Sequence, residues 1–194
     1  MKITKIDAAA QTISRWSGGT TTQLAIAPAG AVYAERDFLW RVSSAVVELP
    51  ESDFTPLPDY DRILMILDGE LALSHDGGEE YTLRALEQTS FDGASHTFSR
   101  GQVTDFNLMM RKGRCVGRME ARVLRKEEKW SDAVDARYNT HLFFCVAGEA
   151  ALMCDGKRVD FGKGEAVLLE GTEAVELLAV DDAATLVFTQ MQEC

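Results

Sequence analysis

Residues 62 to 93 and 141 to 171 repeat each other, and no other feature narrows the fold so far. Gly69, Glu70, Ala72, Leu73, Asp76 and Gly77 recur 79 positions later as Gly148, Glu149, Ala151, Leu152, Asp155 and Gly156. After a one-residue slip, Leu83, Glu87 and Gly93 match Phe161, Glu165 and Gly171 at an offset of 78. A motif repeated within 194 residues points to two copies of one supersecondary unit.

Short alternating or apolar runs separated by turn residues fill most of the chain. Residues 63–67 and 70–74 flank Asp68-Gly69, which predicts a hairpin with glycine supplying the positive φ. A second turn at 75–78 leads into residues 79–83. The second copy predicts strands over 142–146, 149–154 and 157–161, and Gly164 and Gly171 bracket another at 166–169. Further strands are expected at 21–26, 40–47, 105–110, 118–124, 174–180 and 185–190. Only residues 125–136 suit a short helical turn or linker. Many short strands with regular turns argue for an all-β barrel or sandwich, and tandem copies argue for two.

Composition excludes several functions. The chain has 20 basic and 31 acidic residues, a net charge of −11, the wrong sign for nucleic acid or an anionic membrane surface. Apolar stretches of around six residues are far short of a membrane span. The first residues lack the apolar core of a signal peptide. Cys115, Cys145, Cys154 and Cys194 show no Cys-x-x-Cys spacing, as expected of reduced thiols in a cytoplasmic protein.

The glycine and glutamate spacing of residues 148 to 171 resembles a cupin, a small jelly-roll barrel, and residues 69 to 93 fit the same template. The chain is accordingly expected to be a bicupin. Its N-terminal barrel would cover residues 1–124 and hold the ligand pocket; its C-terminal barrel would cover 125–194 and be mainly structural, with N-terminal strands able to swap between the two. Metal-binding cupins resemble one another in a His-x-His…Glu…Gly motif followed by a later histidine. Here those positions hold Pro56, Pro58, Arg62 and His96 in the first copy, and Asp135, Arg137, His141 and Ala174 in the second. Neither set supplies three ligands, and a cation at the acid's position repels a metal. No metal or other cofactor is expected.

Arg62 is informative in itself. A guanidinium facing a barrel lumen needs a carboxylate, either internal (Asp59, Asp61 or Asp105) or from a ligand. Strand alternation adds neighbours: Arg41, Ser43 and Ala45 share one face of residues 40–46. Asp105, Asn107, Met109 and Arg111 share one face of residues 105–111.

Five ordered stretches, 16–21, 37–43, 54–62, 91–93 and 104–111, together resemble the HutD/Ves family of bicupin proteins. The resemblance implies a protein associated with bacterial histidine utilisation that senses or buffers an acidic intermediate such as N-formylglutamate, with no activity established. It implicates Trp16, Trp40, Arg41, Arg62, Asp105, Asn107 and Arg111; Ser43 and His96 join them from the strand and cupin patterns. The family's usual Trp-x-Asn-Gly-Gly-Gly is altered here, with Ser17 near the missing asparagine and Thr22 near a missing arginine. Chemically, Arg41 and Arg62 suit a bidentate grip on a carboxylate, and Asn107 can donate to and accept from an amide or formyl group. Two alternatives stand beside this: a metal-independent isomerase or hydrolase using His96 and Asp105 as acid and base, and a protein-interaction scaffold. Phe143, Phe144, Leu152, Val167 and Leu169 read as the apolar core of the second unit, whose edge is a candidate homodimer contact.

Overall fold

The computed structural model describes residues 1–194, with one 3-10 turn (Tyr33–Glu35) and strands for all other regular structure. No helix is long and apolar enough to cross a membrane. The chain divides into two compact units, Thr12–Cys115 and Met1–Gln11 with Val116–Cys194. The boundary differs from the expected 124/125, since all of β12 (Cys115–Arg125) apart from its first residue belongs with the C-terminal unit; strand β1 (Lys2–Ile6), one of the N-terminal strands expected to be able to swap, belongs there too.

Within residues 12–115 the strands are β2 (Thr12–Trp16), β3 (Gly19–Ala27), β4 (Trp40–Val47), β5 (Glu51–Asp53), β6 (Tyr60–Asp68), β7 (Glu70–His75), β8 (Tyr81–Arg84), β9 (Gln88–Asp92), β10 (Thr97–Arg100) and β11 (Thr104–Arg111). They form a six-stranded sheet in the order β2-β3-β4-β11-β6-β9 and a four-stranded sheet in the order β5-β10-β7-β8. Leu64 and Ile66 of the first sheet share a core with Leu71, Leu73 and Leu83 of the second.

The second unit continues with β13 (Lys129–Trp130), β14 (Thr140–Ala147), β15 (Glu149–Cys154), β16 (Lys157–Gly162), β17 (Ala166–Glu170), β18 (Glu176–Ala179) and β19 (Ala183–Glu193). Its sheets run β1-β17-β14-β19-β12 and β13-β18-β15-β16. The internal repeat is thus visible as topology: β9-β6-β11-β4 corresponds to β17-β14-β19-β12, and β5-β10-β7-β8 to β13-β18-β15-β16. All four sheets are open, with two in each unit, so neither unit is a single sheet closed on itself. Residues 125–136 hold no helix; they carry β13, whose Trp130 is buried in the core beside Phe143 and Phe188.

The Asp-Gly signal at 68–69 does not close a hairpin. β6 and β7 lie in different sheets, as do β14 and β15. Gly69 (φ +90°) turns so tightly that a Cβ there would stand 2.8 Å from the Gln102 carbonyl oxygen, and the chain crosses to the facing sheet. Cys145 consequently pairs with Leu186. The true hairpins are β7–β8 and β15–β16. Their turns place Asp76-Gly77 (φ 54° and 70°) and Asp155-Gly156 (φ 48° and 72°) in the left-handed region, the geometry that matches strand twist.

Candidate functional site

Three central strands of the six-stranded sheet align their inward residues in rows. Arg41 of β4 lies opposite Met109 of β11, which lies opposite Arg62 of β6. The next row is Ser43, Asn107 and Leu64, and the third is Ala45, Asp105 and Ile66. Neighbouring strands stand about 4.8 Å apart, so Arg41 and Arg62 start about 10 Å apart across the methionine. Leu64 and Ile66 enter the core. The rest line a cavity of about 520 Å³ within the Thr12–Cys115 unit.

The floor of this cavity is charged and almost dry. Arg41, Arg62, Asp105, Asn107 and Ser43 are each at most 6 % exposed. Arg62 Nη2 donates to Asn107 Oδ1 at 2.8 Å, and Asn107 Nδ2 donates to Asp105 Oδ1 at 2.7 Å. The asparagine therefore relays between cation and acid, which make no direct ion pair. Arg62 Nε is buried without a partner, and the guanidinium stands 5.0 and 5.1 Å from the ring centres of Phe54 and Phe91. Arg41 donates from Nε to Gln23 Oε1 at 2.8 Å and from Nη1 to Ser43 Oγ at 3.1 Å. Its guanidinium also lies 4.2 Å from the Tyr33 ring centre, where Arg36 approaches to 3.9 Å.

Asp105 is the one buried carboxylate of the chain, against two buried guanidiniums in the same wall. Burial pushes the Arg62 pKa down to about 10, and the cations of Arg41 and Arg36 act in the same direction. Burial likewise pushes Asp105 up to about 6, opposed by Arg62 and by hydrogen bonds from Asn107 and the Ala45 N–H. An excess of desolvated positive charge facing an open volume can attract an anion.

The rim is built differently. Ser14, Trp16, Ser17 and Thr21 come from β2, β3 and their connecting turn; Ser52, Asp53, Phe54 and Thr55 come from β5 and the residues after it. Trp16 lies flat over the turn, because a Cβ at Gly18 would sit 2.0 Å from its ring. Gly19 (φ +151°) brings the turn so close to β4 that a Cβ would meet the Val46 carbonyl oxygen at 1.9 Å.

Six of the nine residues singled out from the sequence line the cavity: Trp16, Arg41, Ser43, Arg62, Asp105 and Asn107. Three do not. Arg111 shares the strand face but lies past the end of the cavity, donating to the carbonyls of Phe38 and Arg36 and to the Tyr60 hydroxyl. It ties the 33–39 loop to the sheet. Trp40 alternates onto the opposite face of β4 and is buried away from the cavity. His96 lies in the turn between β9 and β10, its side chain 66 % exposed and 3.0 Å from Asp53. His96 does not line the cavity that encloses Asp105, so the structure does not bring the His96/Asp105 acid–base pair together. His96 is equally unsuited to complete a metal site on Arg62, and no three His, Cys, Asp or Glu residues gather to hold a metal ion.

Sequence reasoning missed Tyr33, Gln23 and the β5 rim. Phe54 was within reach, since it opens the Phe-Thr-Pro stretch. Tyr33 and Gln23 carry no periodic signal: one is on a 3-10 turn and the other sits beside a register shift between Gln23 and Ala25.

In the second unit the same topology holds no comparable charged wall. His141 pairs with Gln190, and Phe143 with Phe188, at the registers where β6 and β11 pair Arg62 with Met109 and Leu64 with Asn107. Phe143 and Phe188 stack at 5.9 Å and Trp130 packs edge-on against Phe188 at 4.6 Å. The position of Asn107 is filled by a phenylalanine.

No curated protein sequence matches the chain. Among solved structures it is similar to a conserved protein of unknown function from Pseudomonas aeruginosa PAO1, with 23% identity over 99% of this chain and 100% of that one and a TM-score of 0.84. HutD from Pseudomonas fluorescens SBW25 shows 21% identity over the whole of both chains and a TM-score of 0.77. A Cupin 2 conserved barrel domain protein from Leptotrichia buccalis shows 13% identity over 92% and 91%, with a TM-score of 0.59, a likeness of fold alone. The HutD family model matches residues 8–187, nearly the full length, and the chain therefore belongs to the HutD family.

Proposed function

We propose that this HutD-family chain is a bicupin whose first unit binds a small acidic metabolite of the N-formylglutamate type, and that it acts in the cytoplasm to modulate histidine utilisation rather than to catalyse a reaction. The observation that carries this reading is the charge imbalance of the cavity floor. Arg41 and Arg62 are buried together, and the one buried acid is reached only through Asn107. A buried cation without a counter-charge is costly, and a ligand carboxylate offsets that cost while taking up the unpartnered Arg62 Nε. The Asn107 amide, held between Arg62 and Asp105, can exchange partners with an amide or formyl group. Three of the four cysteines, Cys115, Cys145 and Cys154, are buried, which accords with a reducing compartment.

Calorimetric titration with N-formylglutamate, urocanate and glutarate tests the reading. The intact protein is expected to bind the dicarboxylates, and Arg62→Met to weaken binding by about tenfold or more, the value of one charge-assisted contact. Silence of the wild-type protein toward all three acids would refute it.

A further inference from the structure

A carboxylate gripped by Arg41 and Arg62 comes to rest beside a second carboxylate, that of Asp105. Arg62 and hydrogen bonds from Asn107 and the Ala45 N–H favour the ionised form of Asp105, but burial outweighs them. Arg62 reaches it only through Asn107, and the directional bonds of Arg41 go to Gln23 and Ser43. The groups that surround it can be named strand by strand. β6 offers Arg62, β4 the Ala45 N–H, and β11 itself Asn107; Arg41, Tyr33 and Arg36 act on Arg62 rather than on Asp105. Asp53, on the rim, is engaged by His96. Two carboxylates enclosed in one desolvated space cannot both stay ionised without cost, so one of them recruits a proton.

We propose that the site takes up a proton as it binds an anion, and that the proton resides on Asp105, turning this side chain from an acceptor into a hydrogen-bond donor toward the ligand. The inference rests on the anion-binding reading above. The proton comes from the buffer and settles on the Asp105 carboxylate, whose Oδ1 accepts from Asn107. Burial has already lifted the Asp105 pKa to about 6 in the ligand-free site, so a further rise brings proton uptake to neutral pH. A small carboxylic acid stays ionised well below that, so of the two carboxyl groups it is Asp105 that changes state across this range. The protein thereby binds its ligand more tightly as pH falls toward 6 and releases it as pH rises.

The test is titration of the intact protein with N-formylglutamate between pH 5.5 and 8, in buffers of different ionisation enthalpy. At pH 7 the observed heat is expected to vary with buffer in proportion to uptake of up to one proton per ligand. The Kd is expected to rise by up to about tenfold per pH unit above pH 6, until the pKa of the complex is passed. Asp105→Asn is expected to bind with a Kd that is flat over this range and with no buffer dependence. Binding without proton uptake, or an Asp105→Asn variant that keeps the pH dependence, overturns the proposal while leaving the anion site intact. No binding at any pH overturns both. Should Asp105→Asn fail to fold, the wild-type buffer series decides alone.

Discussion

At the scale of single residues, Asp105 is a buried carboxylate that costs the fold stability at neutral pH. Its folded pKa of about 6 lies above the ordinary carboxylate value of 3.8, so the folded state favours the protonated form. The sign follows directly: no cost is present below pH 4, it accrues as pH rises from 4 to 6, and it is constant above that. A rise of about two pKa units corresponds to about 3 kcal/mol at neutral pH. Asp105→Asn, which keeps the shape and removes the charge, is therefore expected to raise the melting temperature of the ligand-free protein at pH 8 and to leave it nearly unchanged at pH 4. Paired thermal melts at the two pH values check this. Arg62 was legible as a site residue from the cupin template, where it stands at the acid's position, and Asp105 because strand period sends alternate side chains to one face. Arg111 was misassigned by the same rule, because alternation says nothing about where along a strand the cavity stops.

At the scale of elements, β2 stands apart, since all five of its residues are exposed. The strand is held by its ladder to β3 alone, and elements with little buried surface open readily. Its Trp16 at the cavity rim is 39 % exposed, whereas Trp40 and Trp130 are nearly fully buried. Ligand-induced changes in tryptophan fluorescence are therefore expected to come from Trp16 and to vanish in Trp16→Phe. Gly18→Ala forces a methyl group into the indole plane. It is expected to displace the ring, shift its emission and alter ligand affinity while global stability changes little, readable by fluorescence and chemical denaturation. Strand β1 makes the opposite case. Its register along β17 runs from Lys2–Glu170 to Ile6–Ala166, and Ile6 is buried. Deleting residues 1–6 bares the β17 edge and is expected to cost about 2–4 kcal/mol, the burial of one to two aliphatic side chains, measured by urea unfolding. Neither strand was legible in sequence, because each is too short and too polar to stand out from loop until its partner strand is known.

At the scale of the whole molecule, one scaffold occurs twice and is used in two ways. In the Thr12–Cys115 unit the row beside Leu64 holds Asn107 and a cavity; in the other unit the matching row is Phe143 stacked on Phe188, beneath Trp130. Truncating that packing, as in Phe188→Ala, leaves a void and is expected to cost about 3–5 kcal/mol in denaturant unfolding. The sequence by itself determined the duplication, the all-β class and the two arginines as lumen candidates, since repeats, turn glycines and two-residue alternation are local properties of a chain. Tertiary structure alone decided that Asp68-Gly69 turns between sheets instead of within one, that Met1–Gln11 joins the distant C-terminal unit, and that His96 faces outward while Tyr33 faces the cavity. Each of these depends on which strands lie side by side, and strand pairing joins residues far apart in sequence, where neither period nor propensity reaches.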